Sequence, residues 1–179
     1  SDFRAIRTKR LYFVDKTELI RCVCVSNKVL LLTRPRRFGK TLALSMLRYF
    51  YDREGDYRPL FEGLSVAKDA EVMQWQGKYP VIWLSLKKVK SRDWKDAFAL
   101  LCSCMADACR EHHYLAQSAV HGSAYQAMYK NLSENEDHKG ACRNALWLLI
   151  ELLSDYHGTE VVVLVDEYDT PVTNAWLSG

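Results

Sequence analysis

Three short runs of uninterrupted apolar residues punctuate the chain: "KVLLLT" at 28–33, "YPVIWLSL" at 79–86 and "VVVLV" within "TEVVVLVDEYD" at 159–169. Runs of this length suit strands buried on both faces. Pro80 stands at the start of the second run, where a missing N–H does least harm. The stretches between them read as helix. "VDKTEL" places Asp15 as the N-cap of a helix over 16–25, with Glu18 completing a capping box and Val14 and Leu19 at the staple positions. "KTLALSMLRYFYD" at 40–52 is built mostly from good helix formers. Residues 53–65, with glycines and a proline, read as a connection, and "KDAEVMQWQ" as a short helix. A long polar stretch then predicts three helices, over 92–113, 117–132 and 138–156, with "SENEDHKG" as an exposed turn inside it. Helix, strand, loop, helix, strand, helices, strand is the order of an α/β fold with a mainly parallel sheet.

Composition adds little that changes this picture. The 179 residues are 49% apolar and 26% charged, ordinary for a globular domain. The formal charge of +3 is too mild to imply nucleic acid. The run at 29–32 is far short of the roughly 20 residues of a membrane span, and "SDFRAIRTKR" has no signal-peptide core. These features predict a soluble, cytoplasmic protein without a membrane partner. Of the six cysteines, none forms a C-x-x-C pair. Buried, reduced thiols are expected.

The chemistry concentrates in "RPRRFGKT". The phosphate-binding loop, or Walker A pattern, is G-x-x-x-x-G-K-[ST], and Gly39, Lys40 and Thr41 match its closing half, between a predicted strand and a predicted helix. Amides at a helix N-terminus and the helix dipole favour phosphate there. Gly39 lets the backbone adopt positive φ, Lys40 can reach the β- and γ-phosphates, and the Thr41 hydroxyl can ligate Mg²⁺. Arg34 departs from the pattern, and Pro35 removes one N–H donor. The apolar strand ending in Asp166 and Glu167 fits the Walker B element: Asp166 to hold Mg²⁺ and Glu167 to deprotonate the attacking water. An adjacent second acid favours hydrolysis over transfer to a small molecule.

Taken together, "YFVDKT", "LLLTRPRRFGKTL", "LFEGL", "YPVIWLSL" and "VVVLVDEYDTPV" resemble the AAA-ATPase-like family, found mostly in bacteria, from Phe3 to Gly179. The resemblance implies a P-loop NTPase fold of the additional-strand AAA-like class, in which Arg34 is the family's own form of the loop. It implies ATP and Mg²⁺ as cofactors and a hydrolase whose conformational change drives or gates an attached or partner domain. Phosphate-side residues are then Arg36, Arg37, Phe38, Gly39, Lys40 and Thr41, metal-side residues Thr41 and Asp166, and catalytic residues Glu167 and Lys40. A C-terminal nuclease-like domain of the PD-(D/E)XK type often follows in the family, and with it nucleic acid as a partner. In the additional-strand class the sheet order is 5-1-4-3-2. The chain stops at "NAWLSG", so residues 1–179 are read as the N-terminal part of such a domain, truncated after the Walker B strand, without the sensor strand. From that reading the isolated chain is expected to be unstable or to associate with itself.

Some residues stay open. Arg36 and Arg37 contact phosphate, pair with Asp166, Glu167 or Asp169, or face solvent. Tyr12 and Phe13 border the adenine or pack beside the helix cap. Asp169 shapes the site or caps the turn before Pro171. Two other functions compete with an ATPase: a nucleotide-dependent switch with little turnover, and a nucleic-acid-binding module using the basic residues of "TKRL" and "RPRR".

Overall fold

The computed structural model describes residues 2–25, 29–32, 38–91, 93–134 and 139–170. They divide into two units, Ser1–Val81 and Ile82–Gly179.

The first unit is helical. It holds α1 (Phe3–Thr8), α2 (Glu18–Val25), α3 (Lys40–Tyr51) and α4 (Ala70–Met73), with single 3₁₀ turns at Arg58–Phe61 and Ser65–Lys68. The hydrophobic pattern does not predict α1. This helix is six residues long, too short to stand alone in water, and three contacts hold it. Asp2 caps it by accepting from the Ala5 N–H at 2.8 Å. Phe3 is fully buried, with ring centroids 5.4 Å from Phe13 and 5.1 Å from Phe61. The Arg7 guanidinium donates to the carbonyls of Leu60 and Glu62, both at 2.7 Å. The Phe3 N–H also donates to Ser45 Oγ on α3 at 2.9 Å, and Phe61 meets Phe50 of α3 edge-on at 5.4 Å. Burial of each phenylalanine contributes about 2–3 kcal/mol. Helix α3 is thereby fixed against the rest of its unit along its buried face.

Asp15 does not cap a helix at residue 16. Helix α2 starts at Glu18, and Asp15 clamps two segments instead. Its Oδ1 accepts from the Thr17 N–H at 2.9 Å and Thr17 Oγ1 at 2.7 Å; its Oδ2 accepts from the Ser65 N–H at 2.7 Å and Ser65 Oγ at 2.8 Å. Fully buried Thr17 takes the Val66 N–H at 3.1 Å on the same oxygen. The competing partner, distant in sequence, is what the capping-box reading lacks. Burial pushes the Asp15 carboxyl up, but the four hydrogen bonds outweigh it and hold it at about 2. A carboxyl held below its ordinary value of 3.8 contributes stability that is complete above that value and lost as pH falls through about 2. Asp15→Ala is therefore expected to destabilise the fold by about 1–2 kcal/mol at neutral pH. In melts run from neutral pH downward, the gap between wild type and variant should close between about pH 4 and pH 2. A gap independent of pH contradicts the clamp.

The strand expected over 28–33 is corrected. Residues 29–32 belong to no strand, and Val29 is 87% exposed. A doubly buried strand needs hydrogen-bonded neighbours at its edges and cover on its faces. Among the described residues no strand pairs with this run, so apolar content alone does not bury it.

The second unit, which takes β1 (Val81–Ser85) from its second residue on, joins a two-stranded parallel sheet of β1 and β2 (Val162–Asp166) to the helices α5 (Trp94–Glu111), α6 (Gly122–Glu134) and α7 (Lys139–His157). Parallel neighbours require a long crossover, and the three helices supply it. They pack on one another around Cys102, Met105, Cys109, Tyr125, Met128, Leu149 and Leu153, and β1 adds Ile82 and Leu84. The Tyr125 hydroxyl donates to the Cys109 carbonyl at 2.6 Å, tying α6 to α5. Cys102, Cys104, Cys109 and Cys142 are buried, whereas Cys22 on α2 is exposed. Burial pushes the Cys109 thiol up to about 12. No helix among the described residues is long and apolar enough to cross a membrane.

Candidate functional site

In the first unit the predicted residues gather at the start of α3. Gly39 occupies its N-cap position with φ 75° and ψ 22°, a left-handed conformation that glycine adopts without the Cβ penalty. Its carbonyl accepts from the Ala43 N–H at 2.9 Å, so the helix is wound from its first residue. The amides of Lys40, Thr41 and Leu42 then have no intrahelical acceptor. Among the described residues no side chain caps the helix here, and no acid stands in the first turn. The one charged side chain in that turn is a cation, Lys40, at the end where the dipole disfavours it. A helix start of this kind is better matched to an external anion than to its own stability. Phe38, just before it, is exposed. Arg36 and Arg37, with Arg34 and Pro35, lie outside the described residues.

Tyr12 is 92% exposed. Phe13 packs edge-on against Phe3.

In the second unit the predicted acids gather at the end of β2. Side chains alternate along a strand: Val163 and Val165 pack against the helical core, while Leu164 and Asp166 are buried on the other face. Asp166 is only 5% exposed. Its Oδ1 accepts from the Glu167 N–H at 3.0 Å, the one hydrogen bond of its carboxylate among the described residues. Glu167 has φ 56°. A glutamate in the left-handed region costs of order 1–3 kcal/mol, and such strain concentrates at functional turns. Two contacts hold it there. The Thr170 N–H donates to the Glu167 carbonyl at 3.0 Å, and Thr170 Oγ1 donates to Glu167 Oε2 at 3.2 Å. Thr170 is buried, and motif reasoning misses it. Its signal is a hydroxyl residue three positions after Glu167, directly before Pro171, a spacing that closes a turn.

A family model described as Predicted AAA-ATPase, AAA-ATPase_like, matches residues 1–179. Among curated proteins, an uncharacterized protein in the vnfD 5′ region of Azotobacter chroococcum mcd 1 is 29% identical over 164 residues. The match covers 90% of this chain and 26% of that protein, so the chain spans about a quarter of its relative's length. No solved structure gives a significant match.

Proposed function

The chain belongs to the AAA-ATPase-like family of predicted AAA-ATPases, and from that premise we propose that it binds ATP with Mg²⁺ and hydrolyses it, the resulting conformational change driving or gating an attached or partner domain. The observation that carries the proposal is the start of α3, where left-handed Gly39 and an uncapped first turn precede Lys40 and Thr41.

In this reading the first-turn amides and Lys40 hold the β- and γ-phosphates. Thr41 and Asp166 would hold Mg²⁺. Asp166 suits that role, because a carboxylate 5% exposed with one amide donor needs a nearby positive charge to offset its desolvation. The ion, when bound, neutralises charge on the phosphate oxygens. Glu167 orients a water and takes its proton as the water oxygen attacks the γ-phosphorus and the bond to ADP breaks. The positive φ of Glu167 and its hydrogen bond from Thr170 aim the carboxylate, which makes Thr170 a positioning residue.

Phosphate release from ATP tests this. The chain should turn over with Mg²⁺ and stop when the ion is chelated; a chain that neither binds ATP nor releases phosphate overturns the proposal. Thr170→Val, which keeps shape and loses one hydrogen bond to a carboxylate, should lower kcat about tenfold at unchanged KM. Equal loss in KM, or no loss in kcat, removes the positioning role.

A further inference from the structure

The connection from β1 to α5 carries a run of cations. Residues 86–96, "LKKVKSRDWKD", hold five Lys and Arg against two Asp, an excess equal to the formal charge of +3 of the whole chain. The mild net charge of the chain is thus concentrated in one short run. Hydrogen bonds shape it at both ends. The Val89 N–H donates to the Leu86 carbonyl at 3.0 Å and the Lys90 N–H to the Lys88 carbonyl at 2.8 Å. The Asp93 N–H donates to Ser91 Oγ at 3.1 Å, and Asp93 Oδ2 accepts from the Asp96 N–H at 3.1 Å, capping α5. Val89 is buried, whereas Lys87, Lys88, Lys90 and Lys95 are exposed.

Lys88 Nζ lies 3.4 Å from Asp107 Oδ2, and Arg110 takes the other oxygen of that carboxylate at 2.9 Å. Lys87, Lys90 and Lys95 join no ion pair among the described residues. Arg92 lies outside the described residues. Of the two acids in the run, Asp93 is engaged as the helix cap and Asp96 is exposed. Beside these cations Trp94, the first residue of α5, is 72% exposed. Its indole lies tilted against Phe98, one helical turn on, with ring centroids 5.8 Å apart. Phe98 in turn packs against the core of the second unit. The indole is therefore backed on one side and open to solvent on the other.

We propose that this connection is a platform for single-stranded nucleic acid, with Trp94 stacking on a base and Lys87, Lys88, Lys90 and Lys95 holding phosphates of the same strand. Such strands are held by an aromatic face for the bases and cations that track the backbone, and both stand here within one run. A duplex suits the platform less, because its bases are already stacked on one another. An anionic membrane also suits it less. Membrane binding grows with buried apolar area, and Trp94 is the one large apolar side chain exposed between 86 and 96. The turn at Leu86–Lys88 packs against β2, and β1 and β2 run parallel, so the platform begins at the end of the sheet where Glu167 stands. It needs no nucleotide at the start of α3.

The test is fluorescence anisotropy of a labelled oligothymidine of about 12 nucleotides, titrated with the chain over a series of salt concentrations. The expected result is saturable binding at about 50 mM salt, with an association constant that falls with salt at a log–log slope of about −2 to −3, as for three or four phosphate contacts to a single strand. Trp94→Ala should weaken binding about tenfold at an unchanged slope, and Trp94→Phe should restore most of the loss. Lys87→Ala combined with Lys90→Ala should make the slope shallower by about 1 to 1.5. These side chains are exposed, so each variant should melt like wild type. The proposal is overturned by absence of binding at low salt. It is overturned equally by wild-type affinity and slope in the folded variants, the result expected if the basic residues of "RPRR" hold the strand. An equal loss on a duplex of the same length in Trp94→Ala, or binding to vesicles of phosphatidylserine and phosphatidylcholine in place of the oligonucleotide, also overturns it.

Discussion

Lys40→Ala is expected to abolish ATP binding while leaving the fold intact. The ammonium is a point charge at the helix start, and removing its charge-assisted contacts to phosphate costs about 3 kcal/mol, more than a hundredfold in Kd. The same change should not harm α3. No acid stands in its first turn, so Lys40 is the charge that opposes the dipole there, and a cation at a helix N-terminus costs about 0.3–1 kcal/mol. The variant should keep the fold, with a melting temperature close to that of wild type. Loss of binding together with a large fall in melting temperature would mean that Lys40 supports the fold instead. Calorimetry and a thermal melt on one sample distinguish the two.

Glu167→Gln is expected to keep ATP binding and lose hydrolysis by about 10²- to 10⁴-fold, the usual contribution of a general base. Glutamine retains the length of the side chain and an oxygen that can accept from Thr170 Oγ1, so the turn after β2 should persist. Glu167→Gly gives a useful contrast. It also removes the base and relieves a backbone at φ 56°, but it loses the hydrogen bond from Thr170 Oγ1, so the two effects should leave stability within about 1 kcal/mol of wild type. Two inactive variants, both about as stable as wild type, would tie the lost turnover to the acid and not to the fold. Normal turnover by Glu167→Gln removes Glu167 as the base.

Much of the fold is legible in the sequence because it depends on local pattern. Helices α3 to α7 and the strands β1 and β2 follow from helix-forming composition and apolar runs, and Gly39 in a left-handed conformation follows from its place before a helix. The departures have one physical origin, contacts distant in sequence. Helix α1 exists because Phe3 is buried against Phe13 and Phe61, which no six-residue window discloses. Asp15 reads as a cap until Ser65, 50 residues on, competes for its second oxygen. The run 28–33 has the composition of a buried strand, yet burial depends on neighbours, and among the described residues no strand pairs with 29–32. At the candidate site the residue types are legible and their support is not. Asp166 and Glu167 announce themselves by charge at the end of an apolar strand, whereas Thr170 acts through a hydroxyl whose role only the turn geometry reveals. The three arginines of "RPRR" fall outside the described residues.

The most direct test of ATP binding at the start of α3 is equilibrium titration of Mg·ATP into the chain, with and without Lys40→Ala. The predicted result is saturable 1:1 binding that Lys40→Ala weakens by more than about a hundredfold. Equal ATP affinity with and without Lys40 would contradict it.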